Sequence, residues 1–135
     1  MDSPPPPTAL RVLVVDDNPD AAATLAEALR LAGHEAEVAW NGLDALEAAR
    51  EARPDVVVLD LGMPFMNGFE TAHRLRDAWP ADPPVLIALT GWDGDGDRRR
   101  TAAAGFAHHL VKPADPAAVV GLVAGYAGGP VSTRP

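Results

Sequence analysis

Asp16 and Asp17, Asp60, Thr90 and Lys112 each close a short apolar run. Leu10 to Val15 leads into the acid pair, Val56 to Leu59 into Asp60, Val85 to Leu89 into Thr90, and Leu110 and Val111 into Lys112. Every one of these residue types can handle a phosphoryl group. A carboxylate attacks phosphorus competently when the charge on the transferring oxygens is neutralised and the approach is in line. Three carboxylates crowded together repel one another and gain proton affinity unless a cation intervenes, and an oxygen-rich site of that kind suits Mg²⁺.

Taken singly, each residue has a plainer reading. Asp16-Asp17 before Asn18-Pro19 makes a helix-capping turn, and Asp60 makes a turn former at a strand end. Thr90 is an ordinary β-branched strand residue and Lys112 a solvated side chain. What favours a site is their conjunction. In an open parallel α/β sheet the carboxyl ends of the strands share one edge, and ligands bind in the crevice there. Four separate structural explanations would all have to place their residues at that same edge.

The elements between these runs supply such a sheet. Asn18 is placed to cap a helix with Pro19 at its first position, Ala22, Leu25, Ala26, Leu29 and Ala32 make the apolar stripe, and Gly33 stops it. Glu35 to Trp40 alternates like an edge strand, and Asn41-Gly42 turns into a second helix carrying Ala45, Leu46 and Ala49. Phe69, Ala72, Leu75, Arg76 and Trp79 predict a third helix, ended by Pro80. A fourth, over about 97–104, has no large apolar side chain and is expected to dock least firmly. Pro116 to Tyr126 predicts the fifth. A fivefold β-then-α alternation implies an α/β fold, a parallel sheet with helices on both faces and right-handed crossovers.

Bulk properties narrow the classes. The chain has 135 residues, the size of one domain, a net charge of -8, and no cysteine. Its acidity disfavours nonspecific binding to nucleic acid or anionic membranes, and the missing thiols remove disulfides, zinc–thiolate sites and cysteine nucleophiles. No apolar stretch reaches membrane-span length, and the start lacks a basic signal-peptide head, so a cytoplasmic location is expected. Residues 1–9, with Pro4 to Pro7, are expected to be a disordered Pro-rich head, residues 10–127 the folded domain, and residues 128–135 a flexible tail. No Gly-rich loop ending in Gly-Lys-Ser/Thr occurs, which excludes a P-loop nucleotide site. Asp93, Asp95 and Asp97 imitate the first spacings of a calcium loop, but Arg98 stands where glycine is required and Ala104 where glutamate is. Those acids and the following Arg98, Arg99 and Arg100 read as a dipole complement and a solvated face.

Over nearly all of Leu10 to Tyr126 the chain resembles the receiver domain of bacterial two-component response regulators, a flavodoxin-like fold with strand order 2-1-3-4-5. The matching segments are Val-Val-Asp16-Asp17-Asn18, Asp60-Leu-Gly-Met63-Pro64 with Gly68 beyond, Leu89-Thr90-Gly91, and Lys112-Pro113. The resemblance implies that Asp60 is the phosphoacceptor, fed by a phosphohistidine on a sensor histidine kinase or phosphotransfer protein. It further implies that Asp17 and Asp60 bind Mg²⁺ directly, that the Gly62 carbonyl adds a ligand, and that Asp16 acts mainly through water. Lys112 would pair with the phosphoryl oxygens and Thr90 would hydrogen-bond one of them. Such a receiver catalyses only its own phosphorylation and dephosphorylation. It permits a cis peptide between Lys112 and Pro113, with Met63 and Pro113 flanking the site.

Several points stay open on the sequence. Where receivers usually carry a phenylalanine or tyrosine that turns inward with the threonine, this chain has His109; it is either a rotamer switch or, with His108, one of two strand residues facing opposite ways. Trp92 either covers the approach to Asp60 or points away between Gly91 and Gly94. Val119, Val120, Leu122, Val123 and Tyr126 exceed one apolar stripe, which suggests self-association or a partner on the fourth helix, fifth strand and fifth helix, or packing under the tail. No effector module is expected after Tyr126, so a free-standing regulator and a receiver piece of a hybrid histidine kinase both fit. A Mg²⁺-dependent phosphatase with an aspartyl nucleophile is the rival, but Gly62 stands where its general acid would be. A pseudo-receiver is disfavoured by the intact acids and lysine.

Overall fold

The computed structural model describes residues 9–62, 67–91 and 94–126. Met63, Pro64 and Trp92, and the expected head and tail apart from Ala9, lie outside the described residues. Five strands and five helices alternate: β1 (Arg11–Val15), α1 (Pro19–Leu31), β2 (Glu35–Ala39), α2 (Gly42–Glu51), β3 (Val56–Asp60), α3 (Gly68–Ala78), β4 (Val85–Thr90), α4 (Asp95–Ala103), β5 (His108–Val111) and α5 (Pro116–Ala124). The strands form one parallel sheet in the order β2-β1-β3-β4-β5.

Alternation along the central strands divides the core in two. Leu13, Val15, Val57, Leu59, Leu86 and Ala88 pack with Ala45 and Leu46 of α2 and Ala72 and Leu75 of α3. Val12, Val14, Val56, Val58, Ile87 and Leu89 pack with Leu25 and Leu29 of α1 and Val119 and Val123 of α5. Each fully buried leucine of this kind contributes about 1.5–3 kcal/mol. Because both faces are covered, the strands read as continuous apolar runs until the polar residue at each carboxyl end.

Local chemistry sets the boundaries. Asn18 Oδ1 accepts from the backbone N–H groups of Asp20 and Ala21, Pro19 follows, and Gly33 leaves α1 at φ +99. Asn41 and Asn67 cap α2 and α3 in the same way. The third helix stops at Ala78 with Trp79 as its cap, and β2 ends at Ala39. The fourth helix starts two residues earlier than its composition suggests, because Asp97 Oδ2 folds back to accept from Gly94 N at 3.3 Å. That bond, rather than a calcium loop, occupies Asp97. The extra apolar residues of α5 are largely absorbed, since Val120 and Leu122 are half-buried against the α1 side of the core. Tyr126, 36 % exposed, engages His108 Nε2 through its hydroxyl at 2.8 Å. No helix among the described residues is long and apolar enough to cross a membrane.

Two glycines separate close approach from mere flexibility. A Cβ on Gly68, at the start of α3, would lie 2.5 Å from Leu61 Cδ2 and 3.3 Å from Leu61 Cα, whereas one on Gly121 of α5 would meet nothing within 4 Å. Gly68→Ala is therefore expected to destabilise by about 1 kcal/mol or more through overpacking. Gly121→Ala should stabilise by about 0.8–1 kcal/mol through helix propensity. Chemical denaturation of both variants checks this, and equal signs for the two would contradict it.

Candidate functional site

The register of the sheet gathers the chemistry at one edge. Asp16 follows β1 directly, its N–H held by the Ala39 carbonyl at 3.1 Å. Asp60 ends β3 opposite Leu89, and Thr90 ends β4 opposite Val111, one residue before Lys112. Leu61 N donates to Leu89 O and Lys112 N to Thr90 O, both at 2.8 Å, so the ladder continues past each functional residue and fixes where its side chain starts.

Asp16, Asp17 and Asp60 each offer a carboxylate oxygen, and these oxygens lie within 4.8 Å of one another. Asp16 and Asp60 are buried at 3 % and 2 % exposure, while Asp17 is exposed. Both oxygens of Asp60 are held. Oδ1 accepts from Gly62 N at 2.8 Å and Oδ2 from Lys112 Nζ at 2.9 Å. Asp16 Oδ1 accepts from Asn18 N at 2.9 Å, which ties the acid pair to the cap of α1. Asn18 does the capping in this segment, and the carboxylates of Asp16 and Asp17 lie with that of Asp60.

The charges are unevenly compensated. Burial pushes the Asp16 carboxyl above its usual value, with a further push from the Asp60 carboxylate, against the hydrogen bond from Asn18 and the attraction of Lys112. Burial also works against the Lys112 ammonium, but its hydrogen bond to Asp60 and the charges of Asp60, Asp16 and Asp17 outweigh that and hold its pKa above the usual lysine value. One lysine facing three carboxylates leaves negative charge over. An all-oxygen donor set with surplus negative charge fits a hard divalent cation such as Mg²⁺.

Thr90 is buried at 2 % exposure. A groove of about 610 Å³ opens beside Asp16 and Lys112, walled by Pro113, Ala114, Leu25 and Val119. The Lys112–Pro113 peptide is cis. Met63 and Trp92 lie outside the described residues. His109 Nδ1 lies 3.0 Å from Thr101 Oγ1 on α4. Thr101 was not singled out by its sequence, where a lone threonine in a polar helix carries no periodic signal. Phe69 belongs to the apolar stripe of α3, and its ring also carries the Arg100 guanidinium at 4.8 Å and meets Phe106 edge-on at 6.1 Å. His73 is exposed and bonds Asp77 one turn on, as a surface residue would.

The family model described as the response regulator receiver domain matches residues 12–124. The transcriptional regulatory protein PrrA of Mycobacterium tuberculosis is 43% identical over 106 residues, 78% of this chain and 45% of that protein. Protein PilH of Pseudomonas aeruginosa is 38% identical over 106 residues, 78% of this chain and 87% of that protein. The solved structure of the chemotaxis protein CheY4 of Vibrio cholerae superposes with a TM-score of 0.79 at 31% identity, covering 85% of this chain and 96% of that one. The chain spans less than half the length of the first curated relatives it matches.

The position of Asp16 yields a stability test. A carboxyl whose folded pKa is raised stabilises the fold below its unfolded value, 3.8, and loses that contribution as pH rises through the folded value. Asp16→Asn removes the buried charge while keeping the oxygen that accepts from Asn18. In the absence of divalent cations the variant should melt a few degrees above the parent at pH 7, with the gain fading as pH falls towards 3.8. Scanning calorimetry across pH checks it; a variant that melts no higher at pH 7 contradicts it.

Proposed function

This chain belongs to the response regulator receiver domain family, and on that premise we propose that Asp60 accepts a phosphoryl group from a phosphohistidine on a sensor histidine kinase or phosphotransfer protein. The observation that carries the reading is the contact of Lys112 Nζ with Asp60 Oδ2 at 2.9 Å, beside the cluster of Asp16, Asp17 and Asp60. A nucleophilic carboxylate, a lysine ammonium and surplus negative charge then meet at one sheet edge.

In the proposed step an Asp60 oxygen attacks phosphorus. The new P–O bond forms as the P–N bond to the donor imidazole breaks, and the departing ring nitrogen takes a proton from water. Gly62 N and Lys112 Nζ hold the two Asp60 oxygens, which limits the carboxylate's rotation and fixes its approach. As charge spreads over the transferring oxygens, Lys112 exchanges part of its bond to Asp60 for the phosphoryl group, and the Thr90 hydroxyl binds another oxygen. Asp17, Asp60 and the Gly62 carbonyl would hold Mg²⁺, with Asp16 acting through water. Bound there, the ion would supply the charge neutralisation that one lysine leaves incomplete.

The chain thus promotes only its own phosphorylation and dephosphorylation, and signals in the cytoplasm by changing which partners it binds. Phosphoryl charge at Asp60 would draw Thr90 inward and shift α4, β5 and α5 between two arrangements. A hydrolase reading is weaker, because Gly62 brings no acid to the position where a phosphatase needs one.

Incubation with acetyl phosphate and Mg²⁺ should add the mass of one phosphoryl group, and Asp60→Asn should abolish the addition; labelling of that variant at the parent rate would refute the assignment. Mg²⁺ should raise the melting temperature by binding the folded state preferentially. Asp17→Ala should remove most of that rise, and an unchanged Mg²⁺ titration would count against direct ligation.

A further inference from the structure

The outermost strand of a sheet presents backbone groups that a further strand can pair with, and β2 forms one lateral edge of this sheet. Its register with β1 decides which groups those are. Glu35 N donates to Leu10 O at 2.9 Å and Ala39 O accepts from Asp16 N at 3.1 Å, so Glu35, Glu37 and Ala39 turn their backbone groups towards β1. Ala36 and Val38, which alternate with them, turn theirs outward.

One of the outward groups is occupied from within the chain. Arg30, in the last turn of α1, donates from Nε at 3.2 Å and from Nη2 at 2.7 Å to the Ala36 carbonyl oxygen. A positive side chain in the last turn of a helix ordinarily serves that helix's own carbonyls and dipole. Here two guanidinium donors converge on the neighbouring strand instead, at the acceptor that a further strand would use. Arg30 is exposed, so the bond closes no part of the core. Glu37 adds a second obstacle. Its side chain is exposed, and among the described residues it has no ionic partner, whereas Glu35 Oε1 lies 3.5 Å from Arg11 Nη2.

We propose that Arg30 guards the lateral edge of β2 against pairing with a second copy of this chain, with Glu37 as the second barrier. The occupant follows from symmetry. Two identical edges related by a two-fold axis meet antiparallel, and the outward groups of β2 are self-complementary in that arrangement. Ala36 of each copy exchanges both backbone bonds with the partner's Val38, which sets Glu37 directly opposite the partner's Glu37. Like charges so placed oppose the pairing. Arg30 opposes it through the backbone, because a guanidinium 2.7 Å from the Ala36 oxygen stands where the partner's strand would run. Pairing through β2 would proceed whether or not Asp60 is phosphorylated, and the two barriers close that route. The guard does not depend on the function proposed above.

Sedimentation velocity of the full chain over a concentration series, without phosphodonor, tests the guard. Combining Arg30→Ala with Glu37→Thr removes both barriers at exposed positions, and threonine suits a strand. The double variant should self-associate about tenfold more tightly than the parent, and each single variant less than the double. Hydrogen exchange read by NMR then locates the contact. At concentrations where the double variant is associated, the amides of Ala36 and Val38 should exchange about tenfold more slowly than in the parent. The amides of Glu35 and Ala39, which already face β1, should keep their parent rates. A double variant that associates no more tightly than the parent overturns the guard, and this is the result expected if Arg30 serves only to tie α1 to β2. Tighter association that leaves the Ala36 and Val38 amides unprotected also overturns it, because the contact then lies elsewhere.

Discussion

Three carboxylates brought within 4.8 Å at the edge of a buried sheet, with one lysine among them, form the constraint on which the rest of this structure depends. Like charges at that separation repel strongly where water is scarce. The fold accepts the repulsion because the residues sit at strand ends whose backbone is fixed by ladder hydrogen bonds and by two apolar layers. Lys112 relieves part of the repulsion by bonding Asp60, and the raised proton affinity of Asp16 marks the part that is left. That remainder is what a divalent cation can neutralise.

Topology turns this constraint into a signal. β1, β3, β4 and β5 deliver Asp16, Asp60, Thr90 and Lys112 to the same edge, and β5 also carries His109, which meets Thr101 of α4. The helices differ in how they are held to the sheet. α1 and α5 close on an apolar core, whereas α4 meets the sheet through a threonine and a histidine. Charge placed on Asp60 can therefore act on Thr90 and the space beside it without disturbing the layer that keeps the carboxylates together.

Much of this was legible in the residues because its causes are local. Asn18-Pro19 and Gly33 mark the ends of α1 by capping chemistry, and the unbroken apolar runs before Asp16, Asp60, Thr90 and Lys112 mark strands covered on both faces. Once the sheet is parallel, the convergence of those residues follows. The less legible parts depend on contacts distant in sequence. The start of α4 is set by Asp97 returning to Gly94 rather than by a serine or threonine cap. Alternation told that His108 and His109 face opposite ways, but not that one meets Tyr126 and the other Thr101. The apolar excess of α5 suggested a partner surface because helical periodicity cannot reveal that Val120 and Leu122 find cover on the α1 side of the core.

If Lys112 and a divalent cation compensate the same surplus charge, they must compete. Calorimetric titration of Mg²⁺ into the parent and into Lys112→Met, which keeps the length of the side chain and removes its charge, tests this most directly. With one positive charge removed from beside three carboxylates, the variant should bind Mg²⁺ several-fold more tightly, an effect well within the interaction of about 4 kcal/mol between unit charges 4 Å apart at an effective dielectric of about 20. Equal or weaker Mg²⁺ binding by the variant would contradict the account.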